Sequence, residues 1–98
     1  MSEKHIEREV VSRAKLRGIT SIKLNTESGR GWPDRMFLIP GGRPLFIEFK
    51  RPGGRVSPRQ TMIHDRLQKL GYDVEVHDDV DEAFRSIIIN ASNSMEAP

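Results

Sequence analysis

The chain has 98 residues, no cysteine, and 16 Lys and Arg against 14 Asp and Glu, for a formal net charge of +2. That length suits one domain around a single hydrophobic core. The missing cysteines exclude a disulfide framework and a thiolate zinc site, and no apolar run approaches the roughly 18 residues of a membrane-spanning helix. The first residues, Met1-Ser2-Glu3-Lys4-His5, are charged and lack the apolar stretch of a secretory signal. The expectation is a globular protein of a reducing cytoplasm, with no membrane association.

Charge is unevenly distributed. Residues 30–59 carry seven basic side chains (Arg30, Arg35, Arg43, Lys50, Arg51, Arg55, Arg59) and two acids, Asp34 and Glu48, whereas residues 60–98 carry three basic and eight acidic ones. A cationic middle third with two isolated carboxylates suits a polyanion gripped beside a small acid cluster. Solvated basic loops explain the charge equally well.

In chain order, residues 2–17 have a helical pattern, with Ser2 placed to cap its start and Gly18 its end. Residues 19–24 read as a short strand and residues 25–33 as a polar loop. Residues 35–39 and 44–50 are two strand-like runs joined by Pro40-Gly41-Gly42-Arg43, a hairpin signal. Residues 51–56 form a basic, glycine-rich loop. Ser57-Pro58-Arg59-Gln60 then opens a helix, with Ser at the cap, Pro at the first helical position and Gln completing a capping box. Met62, Ile63, Leu67 and Leu70 supply its apolar positions, and Gly71 ends it. Residues 72–77 alternate like a strand, and Asp79 with Glu82 caps a helix expected to end near Ile89. The reading is an α/β domain of order α-β-β-β-α-β-α over residues 1–90, a small mixed sheet with helices on both faces, and a disordered tail over residues 91–98.

The chemistry is concentrated in Gly31-Trp32-Pro33-Asp34 and Ile47-Glu48-Phe49-Lys50. Glu48 and Lys50, two apart on a strand, point to one face together with Phe46, while Leu45, Ile47 and Phe49 point to the other. A structural salt bridge would explain that pair on its own. Hairpin register decides whether Asp34 joins it. A three-residue loop of Gly41, Gly42 and Arg43 sets Asp34 opposite Lys50 and diagonal to Glu48. A loop of Pro40, Gly41 and Gly42 sets Asp34 directly opposite Glu48. Either places the two acids roughly 5–8 Å apart at Cβ, near enough to share one hard cation. A two-residue turn would put them on opposite faces. On the first helix, Glu7 falls in the middle of the stripe made by Ile6, Val10, Val11 and Ala14. An ionised Glu there needs a cation, whether a metal or a basic side chain, unless it sits at the rim of the stripe.

Glu7, Gly31-Trp32-Pro33-Asp34, Ile47-Glu48-Phe49-Lys50 and Ser57-Pro58-Arg59-Gln60, in this order and spacing, resemble the VRR-NUC branch of the PD-(D/E)XK nuclease superfamily. The resemblance covers residues 2–77 and implies a restriction-endonuclease-like core. It further implies that Asp34, Glu48 and the backbone carbonyl of Phe49 bind Mg²⁺ or Mn²⁺, with Glu7 assisting directly or through water. Lys50 would orient the attacking water and offset charge at phosphorus, with Gln60 near both, although its capping role is explanation enough for that residue. Compact members of this kind resemble viral or bacterial homodimers that cut branched DNA, including four-way (Holliday) junctions, in a bacterial or phage-infected cell. Arg30, Arg35, Arg51 and Arg55 flank the motifs and are candidates to hold neighbouring phosphates. Trp32 is placed either to stack on a base or, with better reason, to pack under its loop.

Two other readings compete. A restriction-like or flap-cutting endonuclease would use the same residues. A non-catalytic nucleic-acid-binding module would explain the basic middle third, but not why its two acids occupy ligand positions. His5, His64 and His77 have no metal-ligand spacing and read as surface or core-edge residues.

Overall fold

The computed structural model describes residues 1–24 and 30–96, with side chains through residue 93. Residues 25–29 of the expected 25–33 loop and the end of the expected tail, residues 97 and 98, lie outside the described residues. The elements are α1 (Glu3–Leu16), β1 (Ser21–Lys23), β2 (Arg35–Ile39), β3 (Arg43–Phe49), α2 (Pro58–Lys69), β4 (Asp73–His77) and α3 (Val80–Glu96). The four strands form one sheet in the order β1-β2-β3-β4, antiparallel except for β4, which pairs parallel with β3. The expected order and the mixed sheet flanked by helices are therefore found.

Each helix start has a local cause. Ser2 accepts the His5 amide with its Oγ at 3.1 Å, Ser57 accepts that of Gln60 at 3.1 Å, and Asp79 accepts that of Glu82 at 2.9 Å. These bonds satisfy amides that have no partner inside their own helices. Between β2 and β3, the pairs Arg35 with Ile47, Phe37 with Leu45 and Ile39 with Arg43 leave Pro40, Gly41 and Gly42 as the loop. Gly41 and Gly42 have φ of 97° and 83°, which side chains with a Cβ rarely adopt.

The strands alternate between two cores. Phe37, Ile39, Leu45, Ile47 and Phe49 pack against Ile6, Val10 and Ala14 of α1 and Val80, Ala83 and Ile87 of α3. Phe46 on the opposite face packs against Ile63 and Leu67 of α2, with Leu24, Trp32, Met36 and Val74 around them. Helices α1 and α3 thus cover one face and α2 the other. Burying the larger set contributes about 1.5–3 kcal/mol per large apolar side chain.

Four details depart from the sequence reading. Helix α3 continues to Glu96 rather than ending near Ile89, so residues 91–96 are helical and not a tail; Ile87, Ile88 and Ala91 pack on the larger core and carry the helix onward. Strand β1 keeps only three of the six residues expected, because Ile19 turns into the core beside Ala14, whose carbonyl accepts its amide at 2.9 Å. Strand β3 begins at Arg43, and β4 at Asp73. Met62 and Leu70 are 49% and 69% exposed, since the small second core accommodates only the Ile63–Leu67 ridge of α2.

Candidate active site

Asp34 and Glu48 come together at one end of the β2–β3 hairpin. Continuing the register one step beyond Arg35 and Ile47 sets Asp34 across from Glu48. The Phe49 amide donates to Asp34 Oδ2 at 2.8 Å, and the Asp34 carbonyl accepts from Leu24 at 3.0 Å. Gly31 brings this segment to the start of α2. Its φ is +94°, and a Cβ there would lie 2.8 Å from the Arg59 carbonyl oxygen. Pro33 is fully buried, and Trp32 packs against the second core, as the packing alternative expected.

Glu48 is 3% exposed and is surrounded from β3 and α2. Lys50 Nζ lies 3.6 Å from its Oε2, and the Gln60 Nε2 donates to the same oxygen at 3.1 Å. Gln60 performs two tasks, because its Oε1 also accepts the Ser57 amide at 2.9 Å, closing the capping box. The backbone amide of Lys50 donates to the His77 carbonyl at 2.9 Å, anchoring the lysine to β4. His64, one helical turn beyond Gln60, brings Nε2 to 4.0 Å from Glu48 Oε1. Both of those atoms are buried without a hydrogen-bond partner.

The electrostatics follow from setting a half-buried acid, Asp34, beside a buried one, Glu48. Burial, then the Asp34 charge, push Glu48 up to about 7 against the pull of Lys50. Burial also raises Asp34, opposed by its bond from the Phe49 amide. His64 is held below the usual imidazole range, first by burial and then by the Lys50 charge.

The structure does not add Glu7 to this pair as a third acid. Its Oε2 accepts from Arg35 Nε at 2.7 Å and Lys23 Nζ at 2.8 Å. Burial raises its pKa, but those two bonds outweigh it and leave Glu7 below the usual carboxylate range. Arg35 belongs to the face covered by α1 and also donates to Ser21 Oγ at 3.4 Å, so its guanidinium is engaged within the protein. Beside it, Lys4, Glu7, Arg8, Val11, Lys23 and Arg35 line a cavity of about 290 Å³. Arg30, Arg51 and Arg55 are exposed. Among the described residues, no group of three or more His, Cys, Asp or Glu side chains is placed to hold a metal.

A half-buried Asp34 whose charge helps to raise the buried Glu48 forms with it a pair of hard-oxygen donors in which Lys50 only partly offsets the negative charge. That fits a divalent cation such as Mg²⁺ or Mn²⁺, which takes few protein oxygens and keeps several waters. Sequence reasoning did not connect His64 with the site. The signal was available in its position four residues after Gln60, which puts both on one helix face.

The mixed sheet carries Asp34, Glu48 and Lys50 at the ends of neighbouring strands, the arrangement that the resemblance to PD-(D/E)XK nucleases implies. The VRR-NUC domain model matches residues 2–80, and the chain belongs to that family. It is 38% identical over 79 residues to "Putative nuclease p44" of Acyrthosiphon pisum secondary endosymbiont phage 1, covering 81% of this chain and 85% of the relative. A solved structure described as a VRR_NUC domain superposes with a TM-score of 0.79 at 26% identity, over 88% of this chain and 94% of the other. A second, described as a VRR_NUC domain protein, superposes at 0.77 and shares the fold at 20% identity, over 94% and 89%.

Proposed function

We propose that this nuclease is a divalent-metal-dependent deoxyribonuclease that hydrolyses phosphodiester bonds, with a preference for branched DNA such as four-way junctions, and that it works as a homodimer. The observation that carries the reading is the half-buried Asp34 beside the buried Glu48, with Glu48 raised to about 7 next to Lys50 and Gln60. Asp34, Glu48 and the Phe49 carbonyl would hold Mg²⁺ or Mn²⁺. When bound, such a cation polarises the phosphodiester, favours deprotonation of water and stabilises the departing oxygen.

The chain's own residues supply the remainder. Lys50, tethered through its backbone to β4, offers a fixed positive charge for the phosphate and a donor for the attacking water. Gln60 keeps the Glu48 carboxylate in one orientation while anchored to the helix cap. Arg30, Arg51 and Arg55, exposed around the same segments, are available to neighbouring phosphates. Glu7 contributes as a neighbouring negative charge that raises Asp34, and as a ligand only if it leaves Lys23 and Arg35.

The branched-DNA and dimer parts rest on the family resemblance and on size. A domain of 98 residues cannot embrace a junction alone, and symmetric cutting of two strands requires two sites, which a twofold dimer provides. The test offers a four-way junction, a flap and a linear duplex of matched sequence, with Mg²⁺, Mn²⁺ or EDTA, and measures dimerisation by sedimentation. Metal-dependent cutting that is strongest and symmetric on the junction supports the reading. Binding without cutting in every metal condition leaves a basic binding module instead.

A further inference from the structure

Two buried polar atoms without partners face each other inside this site. Glu48 Oε1 and His64 Nε2 are 4.0 Å apart, their side chains are 4% and 9% exposed, and neither atom has a hydrogen bond. Sealed polar atoms are nearly always paired, so one orphan calls for an explanation. Two opposed orphans of complementary chemistry, an anion acceptor and an imidazole nitrogen, supply it for each other.

The surroundings narrow the pairing. Glu48 Oε2 already has Gln60 at 3.1 Å and Lys50 at 3.6 Å. Gln60 and His64 lie four residues apart on α2, so one helix face presents a donor to each carboxylate oxygen. The gap exceeds hydrogen-bond length by about 1 Å, which a small rotation of the ring or carboxylate removes. A cation between the two would need a space open to its waters, whereas both atoms are sealed from solvent.

We propose that His64 is a positioning residue, its Nε2–H holding Oε1 of Glu48 while Gln60 holds Oε2, so that the carboxylate is fixed before it meets the divalent cation. The inference deepens the nuclease reading and rests on it for the link to metal. A ligand carboxylate that is itself hydrogen-bonded loses less freedom on binding, and removal of such supporting bonds typically weakens metal affinity about 10–100-fold.

The test compares the wild type with His64→Leu and His64→Gln. Leucine fills the volume without a donor, whereas the glutamine amide replaces the Nε2–H. Thermal melting confirms that each variant folds. Calorimetric titration with Mn²⁺ reads affinity, and kinetics on a DNA substrate separate kcat from KM. The expected result is Mn²⁺ affinity about 10–100-fold weaker in His64→Leu, with a fall in kcat and little change in KM, and recovery of most of the loss in His64→Gln. In the metal-free wild type at about pH 8.5, where Glu48 is ionised, long-range proton–nitrogen NMR is expected to show a neutral imidazole protonated at Nε2. Wild-type Mn²⁺ affinity in His64→Leu, a glutamine variant as weak as leucine, or an imidazole protonated at Nδ1 would each overturn the proposal. The tautomer is read without metal, so a wild type that binds no Mn²⁺ overturns the nuclease reading separately from this pairing.

Discussion

Asp34 stands across the β2–β3 hairpin from Glu48, and its Oδ2 is fixed by the amide of Phe49 at 2.8 Å, the residue immediately after that glutamate. One hairpin therefore positions both acids, and its loop of Pro40, Gly41 and Gly42 puts them on the same face. Burial makes their shared negative charge costly, and Glu48 is raised to about 7. The predictions below follow from that arrangement and from what surrounds it.

The raised Glu48 gives a signed pH dependence. Its ordinary value is 4.5, so between pH 4.5 and about 7 the folded protein holds a proton that the unfolded chain has released. Metal-free stability should fall across that interval and level off above it. Glu48→Gln removes the charge and should stabilise the metal-free protein at pH 8 by about 1–3 kcal/mol, with little effect at pH 4. Mg²⁺ or Mn²⁺ should raise the wild-type Tm more at pH 8 than at pH 6, because the cation competes with the proton. Denaturant titrations at the three pH values measure this, and a flat wild-type profile would contradict it.

Gln60 joins the helix cap to the carboxylate, and its two roles separate by substitution. Gln60→Ala loses both bonds and should cost about 1–2 kcal/mol together with activity. Gln60→Glu keeps an acceptor for the Ser57 amide but brings a second negative charge to Glu48. It should hold the stability of α2 better than alanine while raising the Glu48 pKa further and depressing cleavage. Chemical denaturation and cleavage rates, measured on the same preparations, separate the two effects.

For Glu7 the depressed pKa carries the opposite sign. Its bonds to Lys23 and Arg35 contribute stability above the ordinary value of 4.5, and that contribution disappears as pH falls through the lower folded value. Glu7→Gln should destabilise the protein at pH 7 by about 1–2 kcal/mol and by progressively less as pH falls below 4.5. If instead it leaves stability unchanged while Mn²⁺ affinity drops, Glu7 serves the cation and not the fold.

Gly31 tests how the Asp34 segment reaches α2. An added Cβ would lie 2.8 Å from the Arg59 carbonyl oxygen, at a φ of +94°. Gly31→Ala should cost about 1–3 kcal/mol and reduce activity beyond the loss of folded protein, because Asp34 moves with the segment. A variant with wild-type melting and cleavage would show that the close approach is dispensable.

Much of this arrangement is legible from local signals. Ser2, the Ser57–Gln60 capping box and Asp79 announce helix starts through nearest-neighbour chemistry, and alternation along residues 44–50 separates Glu48 and Lys50 from Leu45, Ile47 and Phe49. Parity identifies the hairpin registers that would unite Asp34 with Glu48; two three-residue loops satisfy it, a two-residue turn does not, and only the folded hairpin selects among them. What stays hidden depends on distant partners. Lys23 and Arg35 reach Glu7 from β1 and β2. His64 becomes a site residue only once α2 is known to cover the Glu48 face. The length of α3 follows from its packing on α1 and the sheet, and the exposure of Met62 and Leu70 from how little of that face the second core covers.

Cleavage of a four-way junction by wild type and Asp34→Asn, with Mg²⁺ and then with EDTA, tests the central claim most directly. Cutting by the wild type that needs the metal and falls on the order of a hundredfold or more in the variant, while both proteins melt alike and bind the junction, is the result this arrangement predicts. Equal cutting by the two proteins, or cutting that persists in EDTA, would contradict the assignment of Asp34 and Glu48 as the metal-holding pair.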